Sequence, residues 1–395
     1  MKPGLYLRSF SRPFDANAMM QDVGVCQEAM GIMAPKMAHF VFMVRGLDAR
    51  AANILKQEML SVGGEAAISY HTLCDLSKPT DCLLSGTERQ FRIAMPKLAS
   101  QPFGLAALSS DLAHAIDNLL CPKKGLFGPL ELADRTAVMG ILNLTPDSFS
   151  GDGITDIHTA VDRALAMESQ GADIIDIGGE STRPGAGRPG TGEELERVMP
   201  VIRGLAGKLK IPISIDSRDP SVIREAVGAG ARMANLVGGI RTGEMANAIA
   251  EAGVPVILMH MQEEPETMQQ NPQYLDVMDD INSDLGCQIS LALKAGVKRE
   301  NIAVDPGIGF GKTPEHNLEI LRRLVELRIL GFPIVIGASR KSFIGKVLGT
   351  EADDRLEGSL ASAVLASANG ANIVRVHDVR ESARALKIAD SILGR

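Results

Sequence analysis

The chain has 395 residues, 45% of them hydrophobic, a length that predicts two domains and an apolar content large enough to give each a core. Its 41 basic and 48 acidic side chains leave a net charge of −7, with no basic block, no Trp and only 4% aromatics. That argues against a nucleic-acid surface, which needs clustered cations and stacking rings. No apolar run reaches membrane-spanning length, and the start, MKPGLYLRSFSRPFD, lacks the apolar stretch of a secretory signal. The five cysteines, an odd number without a C-x-x-C pair, argue against a zinc knuckle or disulfide framework and fit reduced thiols in a cytoplasm.

In chain order, residues 1–120 predict a small separate α/β domain. AHFVFMVRGL reads as strand, ARAANILKQEMLSVGG as helix, and EAAISYHTL and DCLLSGTERQF as strands, with more helix to about Leu120. This part offers no cluster of acids, His or Gly that would complete a site, so its role is unassigned and it is expected to be dispensable for chemistry. The Pro/Gly content of CPKKGLFGPLELAD, 121–134, predicts a linker. A chain starting near Leu132 would then keep all that the second domain needs.

From 135 to 395 the pattern alternates. AVMGILNL, DIIDIGG, PISID, RMANLV, PVILMH, NIAVDPG, PIVIGAS and NIVRVHD read as buried parallel strands, with amphipathic stretches between them, several ending in Gly. Eight strands alternating with helices over about 260 residues predict a (β/α)8 TIM barrel. A doubly wound open sheet is the second choice. The absence of G-x-G-x-x-G after the first strand weakens a dinucleotide reading.

A barrel of this type carries its active site at the C-terminal ends of its strands. Those ends carry Asn143, Asp176, Asp216, Asn235, His260, Asp305, then Arg340 and Lys341 in SRKSF, then Arg375 and His377. Singly, each would be a turn former, a helix cap or a satisfied core residue. Polar groups at nearly every strand end cannot all be caps, and burying them without partners would be costly. Asp216, Asn235, Asp305 and Lys341 would suit a flat heterocycle with amide-like edges. Arg375 and His377, two apart on one strand, share a face and suit phosphate oxygens. Asn143 could offer its carbonyl to a Mg2+ that shares the phosphates. TPDSFSGDG after the first strand reads as a mobile loop over the site.

MGILNLTPDSFSGDG, DIIDIGGESTRPGA, PISIDSRDP, DPGIGFGK, GASRKSFIG and RLEGSLASAVLASANGANIVRVHD, in register over about residues 135–395, resemble the dihydropteroate synthase family. The resemblance implies a pterin-binding, catalytic barrel that condenses 6-hydroxymethyl-7,8-dihydropterin diphosphate with p-aminobenzoate to give 7,8-dihydropteroate and diphosphate. It implies Asp216, Asn235, Asp305 and Lys341 on the pterin, and Asn143, Arg375 and His377 on the diphosphate with Mg2+, Asn143 being the metal's ligand. It also implies Phe149, Thr182, Arg183, Pro184 and Ser342 around p-aminobenzoate, with catalysis resting on Asp216, Lys341, Arg375 and His377. Partners would be small-molecule substrates, without nucleic acid or membrane. A homodimer, a cytoplasmic location and sulfonamide inhibition follow from the same resemblance. Three departures stand out: Leu236 replaces the Asp of the family's IND, loop one reads SGDG rather than SDGG, which puts the role of Asp152 in doubt, and QEEPETM replaces a small basic stretch. The competing readings are a pterin-dependent corrinoid-protein methyltransferase and a non-catalytic pterin-binding protein; residues 1–130 have no counterpart in the common short enzymes. A scaffold role suits them better than a docking surface for a neighbouring folate enzyme.

Overall fold

The computed structural model describes residues 13–120, 126–132, 135–145, 156–180, 189–263, 267–269, 271–351 and 353–395. The chain divides into two compact units, Met1–Pro122 and Lys123–Arg395. In the first, strands β1 (His39–Leu47), β2 (Glu65–Ile68) and β3 (Thr80–Thr87) form an antiparallel sheet in the order β1-β3-β2. Helices Ala49–Ser61 and Leu105–Leu120 lie where the sequence predicts helix, and Glu88–Ala99 does so only from Arg92 onward; helices Pro13–Val23 and Gln27–Met33 go beyond that prediction. DCLLSGTERQF is strand only as far as Thr87. There Thr87 and Gln90 form a reciprocal capping box that starts the next helix. Leu55, Met59, Leu84, Phe91, Leu98, Leu105 and Ile116 are sealed in this unit's core.

The second unit opens with a hairpin of β4 (Leu126–Phe127) and β5 (Leu130–Glu131). Eight parallel strands follow: β6 (Ala137–Asn143), β7 (Ile174–Gly178), β8 (Ile213–Asp216), β9 (Met233–Leu236), β10 (Val256–Met259), β11 (Ile302–Asp305), β12 (Val335–Ile336) and β13 (Ile373–Val376). Each pairs with its neighbour in sequence, and β13 returns to β6. A parallel bridge from Val304 to Ile334, just ahead of β12, completes the ring. The architecture is therefore a (β/α)8 barrel with helices between the strands, and the open doubly wound alternative is excluded by the strand order.

The period of two along each strand sorts its residues. Val138, Ile175, Ile177, Ile213, Ile215, Ala234, Leu236, Val256, Leu258, Val304 and Val374 join the core between strands and helices. Ala137, Met139, Ile174, Met233, Ile257, Ala303, Val335 and Ile373 form a separate apolar floor inside the ring. Above that floor the same inward positions become Asn143, Asp176, Asp216, Asn235, Asp305 and Arg375. Leu236 thus has a simple explanation: it is fully buried in the outer core, one residue past the inward-facing Asn235.

The stretch read as a linker is in part a structural element. Phe127, Leu130 and Leu132 belong to the floor cluster, and Phe127 is completely buried. Its Gly-Pro content serves the turn between β4 and β5, where Gly128 has φ +57°. A chain starting near Leu132 would lose Phe127 and Leu130, so the expectation that such a chain keeps all the barrel needs is corrected here.

Candidate active site

Three strand ends are knitted together by one guanidinium. Arg375 of β13 donates through Nε to Asp176 Oδ2 of β7 at 2.6 Å and through Nη2 to Asp216 Oδ2 of β8 at 2.7 Å. Asn235 Nδ2 of β9 donates to the same Asp176 oxygen at 3.1 Å. Two carboxylates therefore share one positive charge. Burial, reinforced by the Asp176 and Glu180 charges and opposed by Arg375, pushes the Asp216 carboxyl up to about 7. Asn143 at the end of β6 faces the same space. Gly178 lies between Asn143 and Asp216 in the sheet, and a side chain there would stand 3.8 Å from Asn143 Oδ1 and 3.6 Å from Asp216 Oδ2.

The opposite wall is the loop after β11. Asp305 is buried and accepts the Gly307 N–H at 2.7 Å; burial raises its pKa above the usual carboxylate range, against the opposing pull of that N–H and of Lys341. Gly307 has φ +70°, and a Cβ there would meet the His260 carbonyl oxygen at 1.9 Å, so only glycine fits. The loop's carbonyls are held from several sides. Gln269 donates to Gly309 at 2.7 Å, Tyr274 to Gly311 at 2.8 Å, Lys312 to Phe310 at 2.9 Å and Lys341 to Ile308. The Lys341 amine also stands 4.0 Å from the centre of the Phe310 ring. Burial pulls its pKa down to about 7.

Of the residues expected at the site, Asp216, Asn235 and Arg375 are joined in one network, with Asn143 close to Asp216. Asp305 and Lys341 meet at the loop after β11. Arg375, expected at a phosphate end apart from the carboxylates, lies among them. His377 makes a separate contact, its Nδ1 lying 3.1 Å from Ser339 Oγ. Ser342 is exposed at the first position of helix Ser342–Leu348. Arg340 (φ +57°) is committed to Asp378, at 3.0 and 2.5 Å. Phe149, Thr182, Arg183 and Pro184, together with Asp152 and TPDSFSGDG beyond Thr145, lie outside the described residues.

Several participants escape a reading of the sequence. Asp176 stands out there only as a polar group on its strand, yet it is fully buried and anchors two site residues. Lys312, the end of DPGIGFGK, is buried and donates to His260 Nδ1 at 2.9 Å. Burial brings Lys312 down to about 7 and His260, helped by Lys312, down to about 2, so the imidazole is neutral at working pH. Glu180 and Arg218 form a buried pair, Nη2 to Oε1 2.5 Å, that ties the ends of β7 and β8. A three-glycine loop ending in Lys is the one local signal available for Lys312. Nothing in the sequence pairs Glu180 with Arg218.

Lys312 also gives a pH test. Its folded-state pKa of about 7 lies below the ordinary 10.5, so between those values the unfolded chain holds a proton that the folded chain lacks. The Lys312 contribution to stability is therefore present above about 10.5 and lost as pH falls through 7. Lys312→Met should flatten the rise in urea midpoint above pH 7; an identical profile in the variant would contradict the lowered pKa of the buried amine.

A closed (β/α)8 ring with carboxylates, an amide and lysines converging on its C-terminal mouth has the architecture of a barrel enzyme with an acceptor-rich strand-end site. A family model described as pterin binding enzyme matches residues 139–377. The dihydropteroate synthase of Escherichia coli (strain K12) is 46% identical over 257 residues, 65% of this chain and 91% of that protein. A probable bifunctional folylpolyglutamate synthase/dihydropteroate synthase of Haloferax volcanii is 40% identical over 353 residues, 86% of this chain; the chain spans only 42% of that longer relative. Among solved structures, Yersinia pestis dihydropteroate synthase with a sulfonamide drug complex is 43% identical with a TM-score of 0.65, covering 67% of this chain and 97% of that one. The Xanthomonas albilineans enzyme in complex with 7,8-dihydropteroate is 38% identical with a TM-score of 0.60, covering 67% and 96%. The chain belongs to the pterin-binding enzymes, in their dihydropteroate synthase branch.

Proposed function

We propose that the barrel condenses 6-hydroxymethyl-7,8-dihydropterin diphosphate with p-aminobenzoate, releasing 7,8-dihydropteroate and diphosphate. The observation that carries this reading is the acceptor-rich pocket of Asp216, Asn235 and Asp305 beside Arg375 and Lys341. Carboxylate and amide oxygens suit the ring N–H and amino donors of a pterin. The complexes of the Xanthomonas enzyme with 7,8-dihydropteroate and of the Yersinia enzyme with a sulfonamide drug support the same substrates. In this reading Asp216, Asn235, Asp305 and Lys341 hold the pterin, and Asn143, Arg375 and His377 meet the diphosphate. Phe149, Thr182, Arg183, Pro184 and Ser342 serve p-aminobenzoate.

The methylene–oxygen bond breaks with its electron pair leaving on diphosphate, and the arylamine nitrogen forms the new bond to that carbon and then loses a proton. Arg375 offsets the growing charge of the leaving group, and Asp216 stabilises the electron-poor methylene. The arylamine is neutral at pH 7, so no strong base is needed.

A Mg2+ ion fits the residues present. Asn143 offers one hard amide oxygen at the mouth, and no group of three or more His, Cys, Asp or Glu able to cage a metal occurs among the described residues. Such a donor set suits an ion held chiefly by phosphate oxygens and water, where it would neutralise diphosphate charge. The test of the activity is incorporation of p-aminobenzoate with and without the pterin diphosphate. Product formed only with both substrates supports the reading; none with both refutes it.

Asp305→Asn should weaken binding of the pterin diphosphate. The oxygen facing Gly307 survives, but the other becomes an amide donor opposed to ligand N–H groups. Loss of a charge-assisted bond costs about 1.5–3 kcal/mol, roughly a 10- to 150-fold rise in Kd. Calorimetry on a folded variant with wild-type affinity would remove Asp305 from the pocket.

We also propose a homodimer formed through helices Pro314–Arg323, Ser342–Leu348 and Leu356–Ala368, which expose Leu318, Val347, Leu348 and Leu365 on neighbouring surfaces. Leu365→Glu should convert a dimer to a monomer in light scattering; an unchanged mass would place the interface elsewhere. No described helix is long and apolar enough to cross a membrane. Cys26, Cys74, Cys82 and Cys287 carry no disulfide, which fits the reducing cytoplasm proposed as its location.

A further inference from the structure

We infer that Asp176 is a positioning residue that decides which face of the Asn235 amide meets the pterin. The inference rests on the function proposed above and deepens it. Asp176 is fully buried in the middle of β7. Its Oδ2 accepts from Arg375 Nε at 2.6 Å and from Asn235 Nδ2 at 3.1 Å. Both partners are N–H donors, a guanidinium and an amide, so this carboxylate oxygen acts as the acceptor of each bond. A donor must therefore face it. An Asn amide has its donor and acceptor on opposite prongs, so committing Nδ2 to Asp176 turns Asn235 Oδ1 away from it, which in the proposed function is the side that meets the pterin.

The consequence is chemical selectivity. With the amide locked, Asn235 presents an acceptor, as do Asp216 and Asp305, and all three read a donor edge. Were the amide reversed, a donor would confront the ring N–H groups and select a ligand with acceptors there instead. The same Asp176 oxygen holds Arg375, so one carboxylate orients the pterin-reading amide and the guanidinium that serves the leaving group. Asp176 touches neither substrate nor reacting atom; it acts through its two partners.

The test is an exchange of the two side chains in the full-length protein. Asp176→Asn removes the charge that orients Asn235 and should raise the Kd for pterin diphosphate at least about 10-fold, the loss of one charge-assisted bond. Asn235→Asp sets two carboxylates against each other and should do the same. In the double variant, Asp176→Asn with Asn235→Asp, the amide introduced on β7 can donate to one oxygen of the carboxylate introduced on β9, while the other oxygen faces the ligand as an acceptor. Affinity should recover to within about 3-fold of wild type, while kcat stays low because Arg375 still lacks its carboxylate partner on β7. This split between binding and turnover is what a merely structural role would not produce. Losses that simply add in the double variant, or wild-type affinity in Asp176→Asn, would overturn the inference. If Asp176→Asn does not melt cooperatively, Asn235→Leu carries the test, since it keeps the Asp176–Arg375 bond: affinity should fall at least about 10-fold, and unchanged affinity would overturn the role. A wild-type chain that binds no pterin diphosphate would refute the proposed function and this inference together. Wild-type binding with an unaffected Asp176→Asn would refute this inference alone.

Discussion

Arg375→Ala should abolish most turnover and lower stability by about 3–5 kcal/mol, the usual consequence of removing one partner from a buried ion pair. Arg375 is only 17% exposed on its side chain and is the shared counter-charge of Asp176, which is sealed, and Asp216. Without it two carboxylates face a dry interior and one must take up a proton. Loss of a preorganised donor toward the leaving group should cost about 10²–10³ in kcat as well. Arg375→Lys separates charge from geometry: an ammonium keeps the charge but cannot make the two divergent N–H bonds of the guanidinium. It should recover part of the stability and little of the turnover. The measurements are urea midpoints and kcat on variants that melt cooperatively. Full turnover in Arg375→Ala would show that the guanidinium does not serve the reaction.

Phe127→Ala should be as damaging to stability and nearly silent in catalysis. The ring is completely buried in the floor of the barrel, beside Met139, Ile174, Met233 and Ile257. Truncating such a ring removes its transfer energy and leaves a cavity, together about 3–5 kcal/mol. The floor lies at the N-terminal end of the strands, away from the mouth, so kcat measured well below the melting temperature should hold. A chain beginning at Lys123 keeps the hairpin and should melt cooperatively. One beginning at Leu132 loses Phe127 and Leu130 and should melt far lower. Equal melting temperatures for the two would mean that the hairpin does not seal the barrel.

Much of the fold is legible in the sequence because it follows from short-range periodicity. Each strand announces itself as an apolar run of about the right length, and eight such runs alternating with amphipathic stretches leave few architectures. The same period of two places Asn143, Asp216, Asn235, Asp305 and Arg375 at inward positions near strand ends without any knowledge of contacts. Glycine and proline are ambiguous. In residues 121–134 their composition suits a linker and a tight hairpin equally, and only the burial of Phe127 distinguishes them.

The sequence by itself determined the eightfold alternation of strand and helix and most of the polar groups at the strand ends, because those depend on backbone periodicity within a few residues; the strand order that closes the ring came from the tertiary structure. The tertiary structure alone decided how those groups pair. Arg375 lies 199 residues from Asp176 and 159 from Asp216, and its bonds to both exist only because the ring closes β13 onto β6, beside β7 and β8. Lys312 became a buried amine of lowered pKa in the same way, by burial beside His260, 52 residues earlier. Burial, charge sharing and the orientation of an amide are properties of a closed environment, and no local pattern along a chain encodes which distant side chain will complete it.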